Sequence, residues 1–91
     1  MNRKRAVVSV IGKDQVGIIA KVTTVLAENG FNVLDISQTI VEEFFTMMMV
    51  IDVTNSNRLE EVRELLNAIG EEMGVQIHLQ LEEVFQEMHR I

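Results

Sequence analysis

The spacing of apolar residues divides this chain into six segments, and their order restricts the fold more than any other feature of the sequence. Residues 5–11 are rich in β-branched side chains and are bounded by Gly12, which is typical of a short strand with apolar side chains on both faces. From residue 16 to about 29 the apolar residues recur at helical spacing, and Gly30 follows as a stop signal. We therefore expect a central strand followed by a first helix.

The middle of the chain has the pattern of two adjacent strands. Residues 32–41 alternate between apolar and polar side chains, as a half-exposed strand does. The apolar side chains on one face of that strand are Leu34, Ile36 and Ile40. Glu42 and Glu43 then interrupt the apolar pattern, which restarts over residues 44–53. Two antiparallel strands joined by a tight acidic turn account for this pattern.

A second helix and a last strand follow. Residues 55–57 offer helix caps, and apolar residues recur at helical spacing from Leu59 to Met73, with an end near Gly74. Residues 75–81 alternate strictly, which suggests an edge strand with one polar face. A short tail then carries apolar residues at helical spacing: Val84, Phe85 and Met88.

The order strand, helix, strand, strand, helix, strand is that of the ferredoxin-like, or split βαβ, arrangement. We predict an α+β fold, βαββαβ, in which a four-stranded antiparallel sheet carries two helices on one face and a short helical tail follows. The 91 residues are expected to form a single domain, 1–91, with its core at about 5–82 and its tail at 83–91. Self-association is also expected, since so small a domain has a thin stability margin.

The third strand carries apolar side chains on both faces. Between residues 44 and 53 only two side chains are polar, although two helices cover only one face of a sheet. We expect another subunit, or the tail around Phe85 and Met88, to cover the second face. The run Met47–Met49 is interpreted as ordinary core or interface packing, with an adaptable ligand surface as the alternative.

Composition and charge argue against several classes of function. The formal net charge is −6, and such a field opposes a polyanion, so nucleic acid is not expected as a partner. Cysteine is absent, which excludes disulfides and thiolate sites. His78 and His89 are too isolated to indicate a metal site, and we expect neither a metal nor a cofactor. No apolar run approaches the roughly 20 residues that cross a bilayer, so we expect a cytoplasmic protein without a membrane partner.

Other functions of ferredoxin-like domains lack their residues in this chain. An RNA-recognition motif needs exposed aromatic side chains on its central strands, whereas Phe44 and Phe45 are adjacent and therefore face opposite sides. A phosphate loop is excluded because Ile18 and Ile19 stand where lysine and a hydroxyl are required. An acylphosphatase-like enzyme would need an arginine in the first loop, where Lys13 is the only cation. We therefore expect no enzymatic activity.

The junction between the first strand and the first helix suits a small zwitterion. Gly12 and Gly17 bracket a polar turn that opens directly onto the helix. The first N–H groups of a helix lack internal partners and carry partial positive charge, so they attract a carboxylate or a phosphate. Asp14 lies in the same turn, where it would repel a phosphate and attract an ammonium group. A free amino acid carries both of the groups that such a turn would bind.

Three stretches together resemble the ACT domain, the small regulatory module that binds amino acids in many metabolic enzymes. They are residues 10–20 (VIGKDQVGIIA), 29–33 (NGFNV) and 35–39 (DISQT). The resemblance spans essentially the entire chain and is greatest to small stand-alone proteins that consist of one ACT domain. The first stretch is also similar to the regulatory segments of the glycine-cleavage repressor and of formyltetrahydrofolate deformylase.

The resemblance implies a binding site that is shared between subunits. In ACT domains that bind a ligand, the turn after the first strand and the start of the second strand meet a neighbouring subunit and enclose the amino acid. The corresponding positions are Gly12, Lys13, Asp14, Gln15, Val16, Gly17, Ile18, Ile19 and Asn32. We assign Asp14 to the ammonium group of the ligand and Asn32 to a second polar contact across the interface. The carboxylate is assigned to the amides around Val16, Gly17 and Ile18.

Each assignment has a structural alternative, and two functions stay open. Asp14 can favour the positive end of the helix, Gly17 can be small for close packing, and Asn32 can end a turn.

In the first function, a homodimer or higher homo-oligomer binds an amino acid or similar zwitterion and modulates an unidentified partner protein. In the second, the ACT surface serves as an oligomerisation or protein-interaction adaptor without a ligand.

Overall fold

The computed structural model describes residues 4–13, 17–54 and 58–83. Its elements are, in chain order, β1 (Arg5–Lys13), α1 (Ile18–Glu28), β2 (Asn32–Val41), β3 (Phe44–Asp52), α2 (Leu59–Met73) and β4 (Gln76–Leu81). This order confirms the predicted βαββαβ fold. The predicted caps at 55–57 and the predicted tail helix around Phe85 and Met88 lie outside the described residues.

The four strands form one antiparallel sheet in the order β2-β3-β1-β4. β1 is central, as predicted, and Val8 lies opposite Met49 of β3 on one side and Leu79 of β4 on the other. β1 continues through Lys13, past its predicted boundary at Gly12, because both residues still pair with β3. β2 and β4 are the two edges of the sheet, and the edge position of β4 confirms the prediction from its alternating pattern.

The helices pack on one face of the sheet, where alternate strand residues meet the apolar faces of α1 and α2. The largest fully buried side chains are Val8, Val10, Ile18, Val22, Leu26, Phe45, Met47, Met49, Ile51, Val62 and Leu66. Removing one such side chain from water contributes about 1.5–3 kcal/mol. Met47 and Met49 therefore belong to the core, which agrees with the interpretation of residues 47–49 as core or interface packing. Met48 is half-buried on the other face of the sheet.

The second face of the sheet is only partly covered. On β3 the side chain of Phe44 is 53% exposed, whereas those of Met48 and Val50 are half-buried. Ile11 of β1 lies on the same face and is 45% exposed. Coverage of this face by another subunit or by the tail stays a prediction.

β2 is more exposed than its alternating sequence predicts. The register shifts between Val33 and Asp35, which places Leu34 in a β-bulge. Every residue from Leu34 to the end of the strand is exposed, including Ile36 at 45% and Ile40 at 55%. The expectation of a half-exposed strand was wrong because β2 is an edge whose apolar face is not covered by the helices.

Candidate functional site

The junction between β1 and α1 comprises residues 12–19, of which 14–16 lie outside the described residues. Gly17 occupies the position before the helix, with φ 89° and ψ −4° in the left-handed region. Residues that carry a Cβ atom adopt that conformation at a cost of about 1–2 kcal/mol. Nothing in the described chain lies within 4 Å of the position that a Cβ atom would take on Gly17. The glycine is therefore required by its backbone angles and not by close packing.

The amides of the first helical turn lie directly after Gly17. Among the described residues, the first helical hydrogen bond of α1 runs from the Lys21 amide to the Gly17 carbonyl oxygen at 2.9 Å. The N–H groups of Ile18, Ile19 and Ala20 precede that bond, and no described residue of the helix accepts from them. Gly17 has no side chain to cap them, and the first turn of α1 contains no acidic residue. The junction thus presents partial positive charge that suits a carboxylate.

The two isoleucines of the junction contribute in different ways. Ile18 is 1% exposed and belongs to the core, so only its amide is available to a ligand. Ile19 is 38% exposed, although its helical spacing predicts the apolar face of α1. Its side chain adds an apolar surface beside the amides.

The end of β1 forms the other side of the junction. A Cβ atom on Gly12 would lie 2.7 Å from Cγ1 of Val75, so Gly12 permits the close approach of the chain that enters β4. Lys13 is exposed and pairs with Phe44 in the register of β3. Asp14, Gln15 and Val16 lie outside the described residues, so their assigned roles stay predictions.

Asn32 lies at the opposite end of the sheet from the junction. It is exposed and pairs with Asp52 of β3, which in turn pairs with Arg5 at the start of β1. Gly12 lies near the other end of β1, and at about 3.3 Å per strand residue the two positions are separated by more than about 20 Å. One chain therefore cannot bring Asn32 to its own junction. Only a second subunit could provide the contact that the resemblance implies.

Lys21 of α1 forms an ion pair with Glu72 of α2, so its charge is already paired within the chain. Nζ of Lys21 lies 2.7 Å from Oε1 of Glu72, which joins α1 to α2. The hydrogen bond and the charge of Lys21 hold the pKa of the Glu72 carboxyl below its usual 4.5. Lys21 thus serves the packing of the helices, and Lys13 is the cation closer to the junction in sequence.

The described residues contain no cluster of three or more His, Asp or Glu side chains that could hold a metal ion. His78 is exposed on β4, and His89 lies outside the described residues. Within residues 4–13, 17–54 and 58–83, no helix has the length and apolar character needed to cross a membrane.

A feature that the sequence did not indicate lies between α2 and β4. Two open cavities of about 390 and 410 Å³ follow this edge of the sheet, and Asn67, Ile77 and His78 line both. Arg63 of α2 lines the first cavity and donates hydrogen bonds from Nε and Nη2 to the Leu79 carbonyl oxygen at 3.2 and 3.0 Å. The sequence carries no signal for this contact because the acceptor is a backbone atom.

Comparisons with known proteins agree with this architecture. A family model described as the ACT domain matches residues 4–80. A UPF0237 protein of Listeria innocua is 49% identical over 88 residues, which span 96% of this chain and 99% of that protein. An ACT domain protein from Streptococcus pneumoniae has a TM-score of 0.78 at 38% identity, covering 93% of this chain and 97% of that one.

A similar fold also occurs within a larger regulatory protein. The ligand-free regulatory subunit of aspartate kinase from Thermus thermophilus has a TM-score of 0.67 at 30% identity, covering 87% of this chain and 52% of that one. The strand order, the glycine-led start of α1 and the match over residues 4–80 agree with one another. The chain therefore belongs to the ACT domain family.

Proposed function

We propose that this chain is a regulatory module that binds an amino acid, or a similar small zwitterion, between two copies of itself and thereby modulates a partner protein. The observation that carries the proposal is the left-handed Gly17 followed by amides that precede the first helical hydrogen bond of the described residues. Membership of a family of regulatory, amino-acid-binding modules supports it. The similarity to the regulatory subunit of aspartate kinase is in accord with this role.

The proposed ligand has two opposite charges because the junction offers partners for both. The amides of Gly17, Ile18 and Ile19 bind the carboxylate, which is stabilised by the partial positive charge at the start of α1. Asp14 binds the ammonium group of the ligand, and this role remains part of the proposal. The exposed side chain of Ile19 packs against the apolar part of the ligand.

The proposed site needs two copies of the chain because Asn32 and the junction lie at opposite ends of one sheet. When two β2 edges pair antiparallel about a twofold axis, the start of each strand lies beside the end of its partner. The end of β2 lies level with the junction, since Val41 and Lys13 both pair with Phe44. Such a dimer moves each Asn32 to the junction end of the other subunit and creates two equivalent sites.

Regulation in this proposal acts through a second protein. The described residues include no arrangement that we assign to catalysis, so ligand binding has to change how the dimer fits a partner. That change is limited by the difference in ligand affinity between the two states of the dimer. The partner is therefore expected to distinguish the liganded dimer from the empty one.

A thermal-shift screen against the twenty amino acids tests the proposal. A ligand at one hundred times its dissociation constant adds about 2.7 kcal/mol to stability, which raises Tm by roughly ten degrees in a domain of this size. Gly17→Ala and Asp14→Ala are expected to reduce that rise. If none of the amino acids raises Tm in the wild type, the proposal is wrong for an amino-acid ligand.

The chain offers a matched control for Gly17→Ala. Gly30 also has a positive φ, 79° against 89° for Gly17, and neither position has an atom of the described chain within 4 Å of a Cβ atom. Gly17→Ala and Gly30→Ala should therefore lower the stability of the free protein by a similar amount, about 1–2 kcal/mol. Only Gly17→Ala should weaken the response to the ligand. An equal response in both variants would show that the amides after Gly17 are not the site.

The second candidate function is a ligand-free adaptor. The exposed apolar side chains of β2, Ile36 and Ile40, favour it because they suit a protein contact without any small molecule. An adaptor would form the same dimer and would show no Tm response to any amino acid. The screen therefore separates the two functions.

A further inference from the structure

α2 packs beside only one of the two edges of the sheet, β4. It approaches this part of the chain at two points, one at Val75, just before β4, and one within β4. At the first point, a Cβ atom on Gly70 would lie 2.8 Å from the Val75 carbonyl oxygen, and the Val75 amide donates to the Gly70 carbonyl oxygen at 3.0 Å. At the second, Arg63 donates to the Leu79 carbonyl oxygen from Nε at 3.2 Å and from Nη2 at 3.0 Å.

The second contact involves a backbone group that an added strand would need. Alternate residues of a strand turn their N–H and C=O groups to the same side, so those of Ile77, Leu79 and Leu81 share the free edge of β4, and Val75 lies just before it. Arg63 contacts the middle one of these three residues, and Gly70 contacts Val75. A strand that paired with β4 would have to displace the guanidinium group of Arg63 from Leu79.

Arg63 is held in place from its other side as well. Its Nη1 donates to Oε1 of Glu60, one turn earlier on α2, in an i,i+3 ion pair. The side chain of Arg63 is 34% exposed, whereas that of Glu60 is 78% exposed. A guanidinium group has five N–H donors in a rigid plane, so it can bind Glu60 and Leu79 together. This geometry orients Arg63 towards the strand and not towards solvent.

At the opposite edge, the described residues provide no comparable cover. β2 is exposed from Leu34 to Val41, and its apolar side chains include Ile36 and Ile40. An open edge strand of this kind is a template for pairing with another chain. A sheet that could pair at both edges would extend without limit, whereas one open edge and twofold pairing give a closed dimer.

We propose that Arg63 closes the β4 edge to strand addition, so that copies of this chain join through β2 alone and the assembly stays finite. Arg63 acts on assembly by occupying the Leu79 carbonyl oxygen with two hydrogen bonds. The closed edge does not depend on ligand binding, while the use of β2 as the open edge rests on the dimer of the proposed function.

Sedimentation velocity over a range of protein concentrations, without any added amino acid, tests this role. Arg63→Ala should show a weight-average mass that rises with concentration to about twofold or more of the wild-type mass, because β4 can then pair with a second copy. The wild type should reach a constant mass. If Arg63→Ala melts cooperatively and keeps the wild-type mass at every concentration, the proposal is overturned.

Arg58→Ala is the matched control. Arg58 also lies at the start of α2 and forms an i,i+3 ion pair, at 3.1 Å with Glu61, so its removal changes the net charge equally. Nε of Arg58 donates to Oε2 of Glu61 at 3.2 Å, whereas the Leu79 carbonyl oxygen accepts from Arg63. Arg58→Ala should sediment as the wild type does. If the masses of Arg63→Ala and Arg58→Ala rise equally with concentration, the effect is due to the change in net charge and the role of Arg63 is overturned.

A second variant covers the case in which Arg63→Ala does not fold. Arg63→Met keeps a long apolar side chain against β4 and removes the donors, and it undergoes the same measurement. A weight-average mass of Arg63→Met that rises with concentration supports the proposal. A mass of Arg63→Met that stays equal to that of the wild type overturns it. Loss of cooperative melting in both variants also overturns it, because Arg63 would then be required for the fold itself. A failed amino-acid screen leaves these outcomes unchanged, so the two proposals fail independently.

Discussion

Gly70 allows α2 to lie against the chain that enters β4. A Cβ atom there would lie 2.8 Å from the Val75 carbonyl oxygen, which is backbone and cannot turn aside as a flexible side chain can. Alanine gains about 1 kcal/mol in helix propensity over glycine, but overpacking a buried contact costs about 1–3 kcal/mol. We expect Gly70→Ala to lower the free energy of unfolding by about 1 kcal/mol in urea titrations.

Asn67→Ala provides the control on the same helix. Asn67 is exposed, so alanine should leave stability unchanged or raise it by about 0.5 kcal/mol through helix propensity. The two variants should therefore change stability in opposite directions. Equal stabilisation of both would show that the close approach at Gly70 carries no strain penalty.

Lys21 and Glu72 connect the two helices, and their ion pair gives the fold a specific acid sensitivity. The pKa of the Glu72 carboxyl is held below its usual 4.5 by the hydrogen bond and charge of Lys21. The contribution of Glu72 to the free energy of unfolding is therefore present above about pH 4.5. It is lost as the pH falls through the lowered pKa that Glu72 has in the folded protein. The wild type should be more stable than Glu72→Gln at neutral pH, and the difference should vanish in acid.

Urea unfolding of both proteins between neutral pH and acid measures this difference. Glu71→Gln is the matched control, because it removes the neighbouring carboxylate on α2 and keeps the pair of Lys21 with Glu72. At neutral pH, Glu71→Gln should have a higher free energy of unfolding than Glu72→Gln. This difference should vanish in acid, as the difference between the wild type and Glu72→Gln does. A difference between wild type and Glu72→Gln that stays constant across the range would contradict the assigned ion pair.

The sequence predicts the elements and their order because the spacing of apolar residues records which faces are buried. The strict alternation at 75–81 identifies β4 as an edge with one polar face, and the acidic pair Glu42 and Glu43 identifies the turn between β2 and β3. The alternation in β2 does not reveal the bulge at Leu34. A bulge adds one residue without changing the residue types on either side.

The candidate site is predictable only in part. The glycines at 12 and 17 indicate the junction, but only the structure shows that Gly12 meets Val75 and that Gly17 has a positive φ. The distance of Asn32 from the junction follows from strand register, which no short motif reports. Arg63 binds a backbone carbonyl, so no partner side chain in the sequence marks it.

Assembly through β2 makes a prediction about the molecule as a whole. Ile40 is 55% exposed in the single chain, so Ile40→Lys should not disturb its core, but it places a charge on the proposed dimer contact. We expect Ile40→Lys to lower the mass of the assembly in light scattering and to reduce amino-acid binding with it. Leu65→Lys is the control, because Leu65 is 45% exposed on α2, away from β2, and should leave the mass unchanged.

An unchanged assembly in Ile40→Lys would place the contact between copies elsewhere. The site would then have no route to combine the junction of one subunit with Asn32 of another. A lower mass with unchanged amino-acid binding would show that one subunit binds the ligand by itself. The shared site requires both quantities to fall together.

Ligand binding depends most on the amides that follow Gly17, and backbone amide NMR observes them directly. On titration with the amino acid that raises Tm most, we expect the largest chemical-shift changes at Gly17, Ile18 and Ile19, with a further change at Asn32. Those changes should saturate at one ligand per subunit, since a twofold dimer has two sites. No shift with any of the twenty amino acids, or shifts confined to β4 and α2, would contradict the proposed site.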